Sequence, residues 1–191
     1  MPLSGYQKRT MKKRQDILSA AKTLVSELPL NQISIHAFAA KAKVSQVTIY
    51  NIFGSKNDLV LEAVKEISRE DVDDIFAVIS SDLLYSARID EYFRHSFSHT
   101  LKRPQLTALL SFIFDEKNAD LARYVFSLYE KTYPFLQKMY LDGRSAGLIR
   151  DDISMDLFFK ILNMYVRIDR NFLLDDKERE VIIESIRKSF Q

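Results

Sequence analysis

KVSQVTIYNIFGSKNDLV, residues 43–60, decides the fold. Ser45 suits a helix N-cap, because its hydroxyl accepts from an otherwise unpaired amide. From there the spacing predicts a short helix over about 46–52 with Ile49 and Phe53 turned inward. Gln46, Val47, Thr48, Tyr50 and Asn51 are left on its outer side. Gly54 breaks the chain. Ser55-Lys56-Asn57-Asp58 then has the pattern of a capping box opening another helix at Lys56.

Upstream, Ile17, Leu18, Ala21, Leu24 and Val25 form one apolar face, so 14–28 reads as a helix that Pro29 ends. Ser34 reads as the cap of a second helix of about two turns, with Ile35, Phe38, Ala39 and Ala42 inward and Lys43-Val44 as the turn. Two short helices joined this tightly form a helix-turn-helix, whose second helix can enter the major groove of DNA. A Gln there can pair with adenine, an apolar side chain can meet a thymine methyl, and Thr and Tyr hydroxyls can donate to phosphates. Lys56 falls in the first turn of the next helix, where its ammonium and the free amides make an anion site.

Downstream the pattern stays helical. Leu59, Val60, Ala63, Val64 and Ile67 line a helix from Lys56 to about Ser80. Further helices are expected over 89–102, from Pro104 through Phe114, from an Asn118 cap to Ala146 with a kink or break at Pro134, over 155–173 from a Ser154 cap, and over 177–189 after Asp175 or Asp176. Gly147 reads as a helix stop. The fold class is therefore all-α, about nine helices: a helix-turn-helix domain over 1–55, a linking helix of 56–80, and a second helical domain over 81–191.

Bulk composition agrees. The chain has 191 residues, 47% of them apolar, with four Gly, four Pro and no Cys. Disulfides and thiolate metal sites are excluded. No apolar run reaches the ~18 residues of a membrane span, and the basic N-terminus lacks the apolar stretch of a signal peptide, so the expectation is a cytoplasmic protein without a membrane partner. Residues 1–65 hold ten Lys/Arg against four Asp/Glu, while the whole chain carries only +2. A basic head on a mildly acidic body suggests that the head meets a polyanion. The arm Lys8, Arg9, Lys12, Lys13, Arg14 reads either as a flexible segment for the minor groove or phosphates, or as a solvated tail.

Residues 14–64 resemble the DNA-binding domain of the TetR family of bacterial transcriptional regulators. The ILSAAKTL opening, Ser34-Ile35, Ala39, the VSxxTIY run at 44–50, Phe53, and Ser55-Lys56 followed by Leu59 carry the likeness. The resemblance implies a homodimer on a palindromic double-stranded operator. It implies phosphate contacts by Ser34, Thr48, Tyr50 and Lys56, and base contacts at Gln46 and Val47. Lys43 and Pro29 stand where the family usually has Gly, and Ile52 stands where an aromatic or His often meets the backbone. Either Lys43 sits at a strained positive φ or the turn is shaped differently, and it also offers one more phosphate contact.

The resemblance also implies a small-molecule effector and a dimer interface in the C-terminal part. Phe93, Phe97, Phe112, Tyr124, Tyr129, Tyr133 and Phe158 are candidate lining residues for a largely apolar effector, with ordinary core as the alternative. A kink at Pro134 would expose backbone groups near such a cavity. Leu157, Ile161, Tyr165 and Ile168, with Ile182, Ile183, Ile186 and Phe190, are candidates for a symmetric four-helix interface, with closure of the monomer core as the alternative. Glu91, His95 and His99 share one helix face at a spacing that suits a metal, but opposite the Phe93/Phe97 stripe, which favours a solvated face, and no metal or cofactor is expected. Arg167, Asp169 and Arg170 suit a cross-dimer ion pair. No nucleophile elbow, Gly-rich phosphate loop or paired metal motif is present, so the expectation is not an enzyme. The leading reading is a repressor released from its operator by an effector. The alternative is a coactivator or protein-interaction module on the same fold, without a small-molecule effector.

Overall fold

The computed structural model describes residues 4–102, 112–113, 115–172 and 175–191, with the backbone alone for 97–102, 163 and 165–172. It is all-α: α1 Gly5–Glu27, α2 Ile35–Ala42, α3 Gln46–Phe53, α4 Lys56–Ile79, α5 Tyr85–Lys102, α6 Ala119–Glu130, α7 Tyr133–Ser145, α8 Met155–Phe172 and α9 Asp176–Phe190, with single 3-10 turns at Leu30–Gln32 and Glu116–Asn118. Among the described residues no helix is long and apolar enough to cross a membrane.

The caps explain the boundaries. The Ser34 hydroxyl accepts from the Ala37 amide at 3.1 Å, and Ser45 accepts from the Thr48 amide at 3.1 Å. At α9, Asp175 and Glu178 exchange both bonds of a capping box at 2.8 Å. Ser154 caps α8 through the Leu157 amide at 3.2 Å. Gly147 stops α7 at φ +69°, with the Leu148 amide donating back to the Gly143 carbonyl at 2.9 Å.

Several boundaries differ from the sequence expectation. α1 begins at Gly5 rather than near residue 14, because Ser4 and Gln7 form a capping box that starts the helix ahead of the basic run. α5 begins a turn earlier than residue 89. Asn118 caps nothing; its side-chain amide donates to the Phe112 carbonyl at 2.8 Å, and Asp115 caps the 3-10 turn instead. The 118–146 stretch is broken rather than kinked. α6 ends at Glu130, and Pro134 sits in the first turn of α7, where a missing amide costs nothing. Just before it, Thr132 O accepts from both Phe135 and Leu136 at 3.1 Å, which closes the first turn of α7. The helix expected from Pro104, with Leu106, Leu109, Leu110 and Phe114, lies outside the described residues.

The chain divides into two compact units, Met1–Arg69 with Arg103–Val125, and Glu70–Lys102 with Phe126–Gln191. The first is built on Ile17, Ala21, Phe38, Ile49, Leu59, Ala63 and Val64 from α1 to α4. It is completed by Ile113, Leu121 and Val125 from far along the sequence. In the second unit α5 is the hub, packing against α7, α8 and α9. Its core holds Phe93, Phe158, Ile186 and Phe190, each 1% exposed or less.

Candidate nucleic-acid interface

Within the first unit, α2 and α3 are joined by a turn that depends on Lys43. This residue adopts φ 54°, ψ 44°, the left-handed conformation that glycine normally fills. The Val44 amide reaches back to the Ala39 carbonyl at 3.0 Å and the Lys43 amide to Ala40 at 3.2 Å, so the end of α2 is closed despite the side chain. Val44 packs against the core directly after it. The expected strain at Lys43 is therefore present, and the turn keeps the shape a glycine would give it.

α3 is held by its inner side alone. Ile49 is fully buried and Phe53 nearly so. Ile52 packs partly against the same core, which accounts for its apolar character at a place facing away from the outer surface. On the other side Gln46, Val47, Tyr50 and Asn51 are exposed, Val47 at 65% and Tyr50 at 45%. Among the described residues of the first unit nothing explains an apolar Val47 at that exposure. Thr48 is half-buried, and its hydroxyl sits 2.9 Å from that of Ser45. One hydroxyl of the pair donates to the other, which leaves a second proton to offer outward.

The end of α3 needs Gly54 at φ 83°, ψ −54°, outside the region open to other residues. The Ser55 hydroxyl accepts from the Asp58 amide at 3.0 Å and donates to the Asp58 carboxylate at 2.6 Å. This turn sets half-exposed Lys56 at the first position of α4. Ser34 and Lys43 are exposed at the two ends of α2. The structure thus collects Ser34, Lys43, Ser45, Gln46, Val47, Thr48, Tyr50, Asn51 and Lys56 on one helix-turn-helix unit, with the polar groups outward.

Arg14 is a correction to the arm. It does not belong with the exposed cations: its guanidinium lies 4.8 Å from the Phe53 ring centre and bonds Glu62 of α4 at 2.5 and 2.7 Å. It ties α1 to α4 and to the end of α3. The sequence signal was available only in hindsight, as a cation one turn before the first buried residue of α1. The arm itself is also not an extended segment but the first turns of α1.

The candidate effector residues separate. Phe93 and Phe158 are buried in the core of the second unit. Phe112 and Tyr124 pack partly against the core of the first. Tyr129 and Tyr133 are 40% and 48% exposed. The Phe97 side chain lies outside the described residues. The candidate interface separates too. Ile183, Ile186 and Phe190 are buried inside the second unit, so this part of the stripe closes the monomer core. Leu157 remains 41% exposed, and Ile161 and Ile182 are half-buried. Met164, one turn on from Ile161 and 50% exposed, extends that row. Tyr165 and Ile168, together with Arg167, Asp169, Arg170 and His99, lie outside the described side chains. Among the described residues no group of three metal-ligating side chains occurs.

An all-α chain with a capped helix-turn-helix and a polar outer face on its second helix has the architecture of a DNA-binding module. Residues 17–63 match the model of the bacterial regulatory proteins of the tetR family. No curated protein matches the sequence significantly. Solved structures match its fold almost end to end. A TetR/AcrR-family regulator from Thermobifida fusca is 18% identical at a TM-score of 0.71, covering 94% of this chain and 96% of its own. A putative TetR-family regulator from Vibrio parahaemolyticus is 20% identical at 0.65, covering 92% and 97%. The regulator FadR from Bacillus subtilis, in complex with stearoyl-CoA, is 17% identical at 0.63, covering 92% and 96%. The family match on the helix-turn-helix and the fold around it agree: residues 17–63 are similar to the family's DNA-binding segment, and the chain as a whole has the fold of solved TetR-family regulators.

Proposed function

We propose that the protein is a repressor that binds a palindromic operator as a homodimer and releases it when a small, largely apolar effector binds. The observation that carries the DNA-reading part is α3: anchored by buried Ile49 and Phe53, it holds Gln46, Val47, Tyr50 and Asn51 in solvent at consecutive outer positions. In this reading Gln46 and Val47 face base edges, while Ser34, Lys43, Thr48, Tyr50 and Lys56 touch phosphates. The dimer forms through Leu157, Ile161 and Met164 of α8, an apolar row that stays at least partly in solvent. The FadR structure with stearoyl-CoA supports an effector of acyl-chain character, since the same fold accommodates one there.

The test is binding to duplexes selected from a randomised pool. The Gln46→Ala variant changes base preference, with about 1–3 kcal/mol of discrimination lost at one position of each half-site. Lys56→Glu combined with Tyr50→Phe weakens binding to every duplex. Unchanged affinity in that double variant overturns the DNA-reading assignment. Release of the selected duplex by a long-chain acyl-CoA supports the effector class. A stable protein partner with no small-molecule response favours the interaction-module alternative.

A further inference from the structure

The first turns of α1 have no role in either core. Residues 4–13 are all exposed, and the first buried residue of the helix is Ile17. Lys8, Arg9, Lys12 and Lys13 nevertheless fall within an arc of about 140° on one helix face. They make no ion pair with any described residue, and Arg9 donates only to the Gly5 carbonyl, at 3.2 Å. Their placement works against the helix that carries them. Lys8/Lys12 and Arg9/Lys13 are like-charge pairs four apart. Lys8 and Arg9 lie near the positive end of the helix dipole, and the first turn holds no acidic residue to offset it. Arg14, directly after them, rests over Phe53 at the end of α3. Lys8 lies about 9 Å along the helix axis from that anchor.

We infer that these first turns form a second phosphate-gripping surface, a basic helical rod that lies along the sugar-phosphate backbone next to the half-site and is itself made firmer by the DNA. This rests on the DNA-reading assignment of the helix-turn-helix. A polyanion relieves both the mutual repulsion and the unfavourable dipole; along the helix the acidic neighbour is Asp16, four residues on from Lys12. A helix about 10 Å across does not fit a minor groove about 6 Å wide, so the rod meets phosphates and reads no bases. An anionic membrane is the less favoured partner: the exposed apolar residues here, Tyr6 and Met11, lie on different sides of the helix and give no face to bury.

The test compares the intact protein with a K8Q/R9Q/K12Q/K13Q variant, whose changes are all on exposed positions. Affinity is measured against salt concentration on a selected duplex and on a scrambled one. The slope of log affinity against log salt becomes shallower by about 0.9 for each lost phosphate contact, up to about 3.6 per bound protomer, on both duplexes alike. The ratio between the two duplexes stays unchanged. Amide exchange over residues 5–13 slows severalfold when wild type binds either duplex. A slope altered by less than about one unit, or exchange unchanged by DNA, overturns the inference. Binding of wild type to phosphatidylserine vesicles with an unaltered DNA slope also overturns it. A wild type that fails to discriminate the duplexes sinks the operator reading instead, and the slope comparison still decides the rod.

Discussion

Lys43 shows one side chain serving two opposed ends. Its left-handed backbone costs about 1 kcal/mol that a glycine would not, yet it is exposed at the mouth of the turn. Lys43→Gly is expected to raise stability by about 0.5–1 kcal/mol in urea unfolding while weakening binding to every duplex. A gain in stability with unchanged binding would leave Lys43 without a contact to DNA. A second residue-scale prediction concerns Asp142. Bonds from Lys138, at 2.8 Å, and from Arg88 hold its carboxyl below the usual carboxylate range. The Arg88 side chain is only 6% exposed, so Asp142→Asn leaves a buried cation short of its counter-charge. Because Asp142 is itself 34% exposed, the expected loss is about 2 kcal/mol, below the value for a fully buried pair. The depressed value stabilises the fold above the ordinary carboxylate pKa of about 3.9, and that contribution disappears as pH falls through the folded value. Unfolding curves of wild type and variant should therefore diverge at neutral pH and converge in acid.

At the scale of the element, α8 carries the proposed dimer interface. Its row of Leu157, Ile161 and Met164 stays at least partly in solvent, while Phe158 and Leu162 on the adjoining face are buried. Replacing Leu157 and Met164 together by Asp is expected to give monomers in sedimentation, with helical content unchanged. Affinity for a full palindrome should drop towards that for a half-site. A dimer that persists moves the interface elsewhere. The sequence made this helix legible as apolar on two sides, but a stripe does not name its cover. The same limit misplaced Ile183, Ile186 and Phe190: a period of 3.6 says that a face is buried, not whether its own chain or another buries it. The helix-turn-helix was readable almost to the residue because caps, breakers and the Ile49/Phe53 pair are local signals. The start of α1 was not, since a run of five cations reads as solvated chain until Ser4 and Gln7 are recognised as its cap. Nor was Arg14, whose partners Phe53 and Glu62 are far away in sequence.

At the scale of the molecule, the helix-turn-helix unit is not a contiguous stretch. Ile113, Leu121 and Val125 complete a core otherwise made from α1 to α4. Leu121→Ala, at a site 2% exposed, should remove about 2–5 kcal/mol. The loss should appear as faster amide exchange in α2 and weaker DNA binding, although Leu121 itself is buried. If exchange in α2 is unaffected, the two segments do not share one cooperative core. This interleaving also bears on how the protein is made. When residue 69 leaves the ribosome, the first core still lacks its last wall. At about 5–20 residues per second, residue 125 leaves the ribosome roughly 3–11 s later. During that interval Leu59, Ala63 and Val64 belong to a nascent chain with an unfinished apolar surface, a natural moment for a chaperone to engage it.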